Sequence, residues 1–193
     1  MQIIKYPHPT LRRASKSLRR VDAEIHRMIR QMFDLMYEAK GVGLAANQVD
    51  LPYRMFIVNL SSDPAASEKE HVFINPVLSQ PKGAAEAEEG CLSLPGLYAD
   101  VRRYERIHLN AYTLAGEEVS LPLEGLMARV AQHETDHLEG VLFIDRLTTT
   151  GRMALREELE EFEIQFAERR ERGEIPDDQI IAARLAELEA LRT

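Results

Sequence analysis

The feature that most constrains this chain is a pair of histidines four residues apart with a glutamate directly after the first, His133-Glu134-Thr135-Asp136-His137. Residues four apart lie one above the other on an α-helix, so both imidazoles can reach one metal ion. The Glu134 carboxylate can then approach a water molecule beside that ion. The pattern predicts a helix that carries a hydrolytic metal site, and the alternative is a surface helix with two exposed histidines.

A catalytic metal site usually has three protein ligands and one open position. Some enzymes with this motif use a histidine six residues after the second, but Phe143 stands there. Others use a glutamate from a following helix, and four residues keep that option open on spacing alone: Glu157, Glu158, Glu160 and Glu161. The other candidate is Cys91, the single cysteine, in the segment Glu89-Gly-Cys-Leu-Ser-Leu-Pro-Gly96. A thiolate and two imidazoles make a four-coordinate site once water is added.

Hydrophobic periodicity predicts a helix, then strands, then helices. Asp22 can cap a first helix that bears apolar residues at helical spacing from Ile25 to Met36, and Gly41 is its expected stop. Short runs rich in β-branched and aromatic residues predict five strands: Arg54–Leu60, Val72–Leu78, Arg106–Thr113, Glu118–Leu121 and Val141–Ile144.

The motif helix is expected from Leu123 to about Glu139, and two further helices are expected over Arg152–Arg172 and Asp177–Arg192. This order predicts an α+β fold. Mixed or antiparallel strands would surround a central metal-binding HExxH helix, and a helical C-terminal extension would follow.

Charge and composition exclude several classes of protein. The formal net charge is −8, which gives no general attraction for nucleic acid or anionic membranes. No apolar run approaches the roughly 18 residues that span a bilayer. One cysteine allows no internal disulfide and suits a reducing compartment. The first residues lack the layout of a signal peptide, so we expect the protein to stay where it is made.

Three segments resemble the three motifs of the peptide deformylase family, in the same order and at similar separations. They are Gly41-Val-Gly-Leu-Ala-Ala-Asn-Gln48, Glu89-Gly-Cys-Leu-Ser-Leu-Pro-Gly96 and Gln132-His-Glu-Thr-Asp-His-Leu-Glu-Gly-Val-Leu-Phe143. Asn47 departs from the family, which usually has Pro or Thr there. The resemblance predicts a catalytic domain over residues 1–147 and leaves residues 148–193 as the helical extension.

The resemblance implies an enzyme that removes the N-terminal formyl group from formyl-methionine of new proteins in bacteria and organelles and releases formate. The family's metal ligands correspond to Cys91, His133 and His137, and its general base corresponds to Glu134. Its carbonyl-polarising groups correspond to the Gln48 side chain and the backbone N–H of Leu92. Such donors suit the oxyanion that forms during attack on the formyl carbon.

The helix face that bears the histidines also predicts the substrate pocket. Leu126 and Val130 share this face with the histidines at steps of four, three and four. An apolar pocket beside the metal suits methionine. Val42 is a further wall by resemblance, and a substrate backbone is expected to lie against Gly43.

One divalent ion is expected. Thiolate and imidazole ligands favour zinc on affinity, whereas the resemblance implies Fe²⁺, with Zn²⁺, Ni²⁺ or Co²⁺ as alternatives. The expected partners are formyl-methionyl nascent peptides in the bacterial cytoplasm, with no membrane, and a homodimer stays open. Gly151–Thr193 has seven basic and twelve acidic residues, so ribosome binding, if present, is not expected through a basic C-terminal helix.

Two rival functions stay open on sequence grounds. The first is an HExxH metallopeptidase with a downstream glutamate ligand, which would cleave internal peptide bonds and give Cys91 no role. The second is a non-catalytic relative that binds nascent chains or ribosomes. Every expected catalytic side chain is present, which favours the enzyme over this second rival.

Overall fold

The structure is a computed structural model that describes residues 1–193. The elements, in chain order, are α1 (Ala23–Glu38), β1 (Gly43–Ala45), β2 (Met55–Val58), β3 (His71–Lys82), β4 (Ala85–Cys91), β5 (Leu94–Arg103), β6 (Arg106–Tyr112), β7 (Glu118–Glu124), α2 (Gly125–Leu138), α3 (Thr149–Ala154), α4 (Arg156–Glu171) and α5 (Asp178–Arg192). Strands β1-β2-β3-β6-β7 form one sheet in that order, and β4 and β5 form a separate hairpin. Every pair is antiparallel, which confirms the predicted α+β class.

Helix α1 forms where its apolar spacing predicts. Its N-cap residue, Asp22, accepts a hydrogen bond from the Ile25 N–H at 3.0 Å. Six apolar side chains on one face are buried: Ile25, Met28, Ile29, Met32, Phe33 and Met36. The helix ends at Glu38, three residues before the predicted stop at Gly41, and Lys40 has a left-handed backbone with a φ of +55°. Gly41 instead allows the Leu92 side chain to lie close to the backbone, because a Cβ at residue 41 would be 2.7 Å from that side chain.

Strands β2, β3, β6 and β7 confirm four of the predicted strands, with β3 and β7 extending further than predicted. The sequence prediction missed β1, β4 and β5. Strand β4 reads Ala-Glu-Ala-Glu-Glu-Gly-Cys, which lacks β-branched and aromatic residues, so its pairing with β5 determines its conformation.

Two further predictions are wrong in part. Val141–Ile144 is not a strand, because the Asp145 carboxylate accepts the Leu142 N–H at 2.8 Å and closes a 3₁₀ turn over Phe143–Asp145. Helix α2 begins at Gly125 rather than Leu123. Leu123 pairs with Ile107 in the sheet, and the positive φ of Gly125 turns the chain into the helix.

Helix α2 lies against the sheet. Ala128, Ala131 and Leu138 are buried in one apolar cluster with Phe56 and Leu109. The side chains on the opposite face of α2 are therefore free to form a site. No helix has the length and hydropathy needed to cross a membrane.

The C-terminal helices pack back onto the rest of the chain. Leu159 of α4 is buried in the cluster that contains Cys91, and Leu188 of α5 packs against the cluster that contains Met32 and Tyr53. Ile181 and Leu185 of α5 are buried with Ile175 in a small cluster of their own. The helix predicted over Arg152–Arg172 is divided in two, since α3 ends at Ala154 and α4 begins at Arg156. The division between a catalytic domain (1–147) and an extension (148–193) stays a prediction.

Candidate metal centre

Helix α2 presents two histidines to one point, as their spacing predicts. The Nε2 atoms of His133 and His137 lie 3.2 Å apart, and both residues are buried. Burial lowers the pKa of His137 well below its usual range, with nearby cationic groups acting in the same direction. His137 is therefore neutral at physiological pH, which is the form that coordinates a metal.

Cys91 joins this pair from the hairpin. It ends β4, and a two-residue turn connects it to Leu94, its partner in β5. Its Sγ atom lies 3.2 Å from Nε2 of His137. Gly90 allows the hairpin to close, because a Cβ there would lie 2.6 Å from the Tyr98 ring.

The three donor atoms fit one divalent ion. The Cys91, His133 and His137 ligand atoms all lie within 4.8 Å of one another. Donors at tetrahedral angles around an ion of zinc size stand about 3.3–3.6 Å apart. The two 3.2 Å separations among these atoms are close to that spacing. The chemistry also fits, because a cysteine sulfur and two imidazole nitrogens are donors that suit first-row transition metals.

The downstream glutamates do not join this group. The four candidates on α4 are exposed side chains: Glu157, Glu158, Glu160 and Glu161. The structure groups Cys91, and none of these glutamates, with the two histidines. It therefore does not support the glutamate-ligand alternative.

Glu134 lies beside the three donors and is only 4% exposed. Its Oε2 atom has no hydrogen-bond partner in the protein. Burial, reinforced by the Glu89 carboxylate, raises the pKa of Glu134 to about 7, near the value that suits a general base at neutral pH. Gly43 makes room for this carboxylate, because a Cβ there would lie 2.5 Å from its Oε1 atom.

Gln48 occupies the 3₁₀ turn Ala46–Val49, and its side chain is aimed at the cysteine. Its Oε1 atom accepts the Ala45 N–H at 2.8 Å, which orients the amide. Its Nε2 atom then lies 3.5 Å from Sγ of Cys91 and 3.3 Å from Oγ of Ser93. The amide N–H groups of Gln48 therefore point toward the metal-ligand candidates.

Leu92 lies in the turn that follows Cys91. Its carbonyl accepts a hydrogen bond from Nζ of Lys5 at 2.8 Å, which anchors this turn to the N-terminal segment. Sequence reasoning did not single out Lys5. Its ammonium group borders the same cleft as the donors.

A cleft of about 670 Å³ is lined by Cys91 and His133, two of the three donor residues. All four residues predicted for the substrate site line it: Val42, Gly43, Leu126 and Val130. Val130 is 7% exposed, whereas Leu126 is 54% exposed and lies at the rim. The cleft thus has an apolar wall formed by the helix that carries the histidines.

A buried ionic network, which sequence reasoning missed, supports the histidine pair. Oε2 of Glu89 lies 3.0 Å from Nδ1 of His133, and Arg103 donates to both oxygens of Glu89 at 2.9 and 3.0 Å. Arg129 donates to Glu89 at 2.7 Å, and Arg103 also donates to Asp136. Burial by itself would raise the pKa of Glu89, but the bonds from His133 and Arg103 outweigh it and lower the pKa to about 2.

One sequence signal could have found Glu89. Ligating histidines generally donate their second ring nitrogen to a carboxylate or carbonyl group. Glu89 stands two residues before Cys91, so the cysteine segment brings a carboxylate to the site together with the thiol.

An α+β domain in which one helix brings two histidines and a buried glutamate to a cysteine thiol defines the class of metal-dependent hydrolases. Comparison with known proteins narrows this class. The family model described as polypeptide deformylase matches residues 1–153. The chain belongs to the peptide deformylase family, whose members hydrolyse the N-terminal formyl group from nascent proteins.

Individual relatives agree with the family match. The peptide deformylase of Rhodopirellula baltica is 47% identical over 193 residues, covering 100% of this chain and 96% of the relative. That of Aquifex aeolicus is 40% identical over 145 residues, covering 75% and 86%. A plant peptide deformylase structure has a TM-score of 0.85 at 38% identity, covering 92% of this chain and 95% of that one. The Plasmodium falciparum structure has a TM-score of 0.84 at 37% identity, covering 86% and 97%.

Proposed function

We propose that this chain removes the formyl group with Cys91, His133 and His137 as the ligands of one divalent ion. The observation that carries the proposal is the convergence of three buried donor atoms within 4.8 Å, beside a buried glutamate. When bound, such an ion supplies Lewis acidity, which makes water a stronger acid and polarises a carbonyl group.

Glu134 acts as the acid–base group. Its free Oε2 atom takes a proton from the attacking water and returns it to the amine nitrogen of the leaving peptide. The products are formate and a free amino terminus.

Gln48 and Leu92 stabilise the charge that develops on the formyl oxygen. The Gln48 amide is held by Ala45 and points at the ligand group, and the Leu92 N–H follows directly after the cysteine ligand. Loss of one such donor costs about 2.7–4 kcal/mol of barrier. Val42, Leu126 and Val130 form the wall of the methionine pocket, and Gly43 gives the substrate backbone a close approach.

The native ion is proposed to be Fe²⁺, with Zn²⁺, Ni²⁺ or Co²⁺ as functional substitutes. A thiolate next to a redox-active ion is the group most open to oxidation. Nickel-loaded protein is therefore expected to outlast iron-loaded protein in air. Equal lifetimes at matched occupancy would argue against iron as a redox-sensitive native metal.

The decisive experiment is formate release from formyl-Met-Ala-Ser by purified protein loaded anaerobically with ferrous, nickel or zinc ions. Release of formate that stops on removal of the ion supports the proposal. Cleavage of an internal peptide bond without formate release would instead support the metallopeptidase.

The remaining expectations are proposals of the same kind. The substrates are formyl-methionyl nascent peptides, and the place of action is the bacterial cytoplasm, where such peptides are made. Residues 1–147 form the catalytic domain, with residues 148–193 as its extension. Homodimer formation and ribosome contact through a surface other than a basic C-terminal helix are further proposals.

A further inference from the structure

Helix α5 reaches the turn that carries Gln48. Arg184, near the middle of α5, donates from both terminal nitrogens to the Asp50 carbonyl oxygen, each at 3.2 Å. The same guanidinium forms an ion pair with the Asp50 carboxylate. Asp50 directly follows the 3₁₀ turn Ala46–Val49, so only one residue separates it from Gln48.

The backbone of Asp50 is in an uncommon conformation that its contacts maintain. Its φ angle is +63°, in the left-handed region that non-glycine residues seldom occupy. Its N–H donates to the Asn47 carbonyl at 3.2 Å, and its carboxylate accepts the Thr10 hydroxyl at 2.5 Å. Because φ at Asp50 sets how the turn ends, groups that hold Asp50 also hold the end of the turn that carries Gln48.

Helix α5, which carries Arg184, is attached to the rest of the chain near its C-terminal end. Arg192, at the end of α5, donates to the Asp22 carboxylate and the Tyr53 hydroxyl at 3.0 Å each. The Tyr53 hydroxyl donates to the Leu188 carbonyl at 3.1 Å. Because α5 is held at Arg192 and its Leu185 side chain is buried, the neighbouring Arg184 has a defined position.

We propose that Arg184 is a positioning residue for the reaction, acting through Asp50 on Gln48. This inference rests on the proposed role of Gln48 as a donor to the formyl oxygen. It gives α5, which lies beyond the residues that match the family model, a part in the active site. Arg184 binds the turn rather than substrate, so it affects turnover more than substrate affinity.

The test uses the full-length, metal-loaded protein with the substitution Arg184→Met. The expected result is a kcat lower by about three- to tenfold with a KM changed less than about twofold. This loss is below the ~10²-fold that a 1 Å misplacement can cost, since Thr10 and Asn47 still hold the turn. Metal content is expected to be unchanged, and Arg184→Lys should recover part of kcat.

Arg192→Met is the matched control, because it removes an attachment of the same helix that does not contact the Gln48 turn. It is expected to lower the unfolding temperature while retaining kcat. Parallel losses of kcat and unfolding temperature in both variants would overturn the proposal, since Arg184 would then be merely structural.

Combination with Gln48→Ala separates this inference from the function it rests on. Gln48→Ala alone should lower kcat by about 10²–10³-fold, and adding Arg184→Met should lower it no further. Wild-type kcat in Gln48→Ala would overturn the role of Gln48 and this inference with it. If Gln48→Ala shows the expected loss of kcat, two results would overturn the role of Arg184 alone. One is a wild-type kcat in Arg184→Met. The other is a double variant whose loss of kcat is the product of the two single losses.

Discussion

The Nδ1 atom of His133 lies 3.0 Å from Oε2 of Glu89, and Arg103 donates hydrogen bonds to both oxygens of the same carboxylate. This pair fixes the ring orientation of one proposed metal ligand. Glu89→Gln should therefore weaken metal affinity by about 10- to 100-fold. Competition with a chelator measures the affinity. Glu86→Gln, an exposed position on the same strand, is the control, and equal affinities in the two variants would contradict a role for Glu89.

Cys91→Ser should lose most of its metal, because a neutral hydroxyl is a poor replacement for a thiolate. Metal content after dialysis provides the measurement. Glu158→Gln, on the exposed face of α4, should retain its metal. The reverse pattern, with metal lost in Glu158→Gln and kept in Cys91→Ser, would favour the glutamate-ligand peptidase.

Glu134→Ala should bind its metal and lose turnover by about 100-fold or more, as expected for a positioned acid–base group. The comparison requires measured metal occupancy and formate release in the same preparation. Glu139→Ala, an exposed position just after α2, should keep normal turnover. Near-normal turnover of metal-loaded Glu134→Ala would remove this residue from the mechanism.

Ionisation of Tyr6 should lower the free energy of unfolding at alkaline pH. Burial and a 2.7 Å hydrogen bond to Glu163 of α4 raise the pKa of Tyr6 to about 12. The unfolded chain ionises this tyrosine near pH 10. The stabilisation is therefore fully present below about pH 10 and is lost as pH rises through about 12. Urea unfolding should show this loss in the wild type and a smaller one in Tyr6→Phe, and a Tyr6 that titrates near pH 10 would refute the argument.

The arginines near the end of α4 should not bind ribosomal RNA. Glu174 pairs with Arg169 and Arg172 at 2.9 and 2.8 Å, and Asp178 pairs with Arg170 at 2.6 Å. Phosphate binding needs unneutralised positive charge. Replacing the three arginines by glutamine should leave co-sedimentation with ribosomes unchanged at low and high salt. A salt-sensitive loss of binding in this variant would show that the cluster does contact RNA.

The sequence alone determined the local parts of this protein. An α-helix has 3.6 residues per turn, so the spacing of His133 and His137 already places the two imidazoles on one face, with Glu134 directly after the first. The Asp22 cap and the apolar face of α1 follow from the same local rules. These features depend on residues a few positions apart, which is why pattern reasoning recovered them.

The tertiary structure decided which distant groups join them. Cys91 lies far from His133 in the chain, and spacing alone left Glu157 and its neighbours open as ligands. The β4–β5 hairpin, whose weak strand signal was missed, brings the thiol and Glu89 to the histidines together. The contact of Arg184 with Asp50 likewise depends on how α5 packs. Such contacts arise from long-range packing and burial, because no local periodicity encodes the distance between residues that meet only in the folded chain.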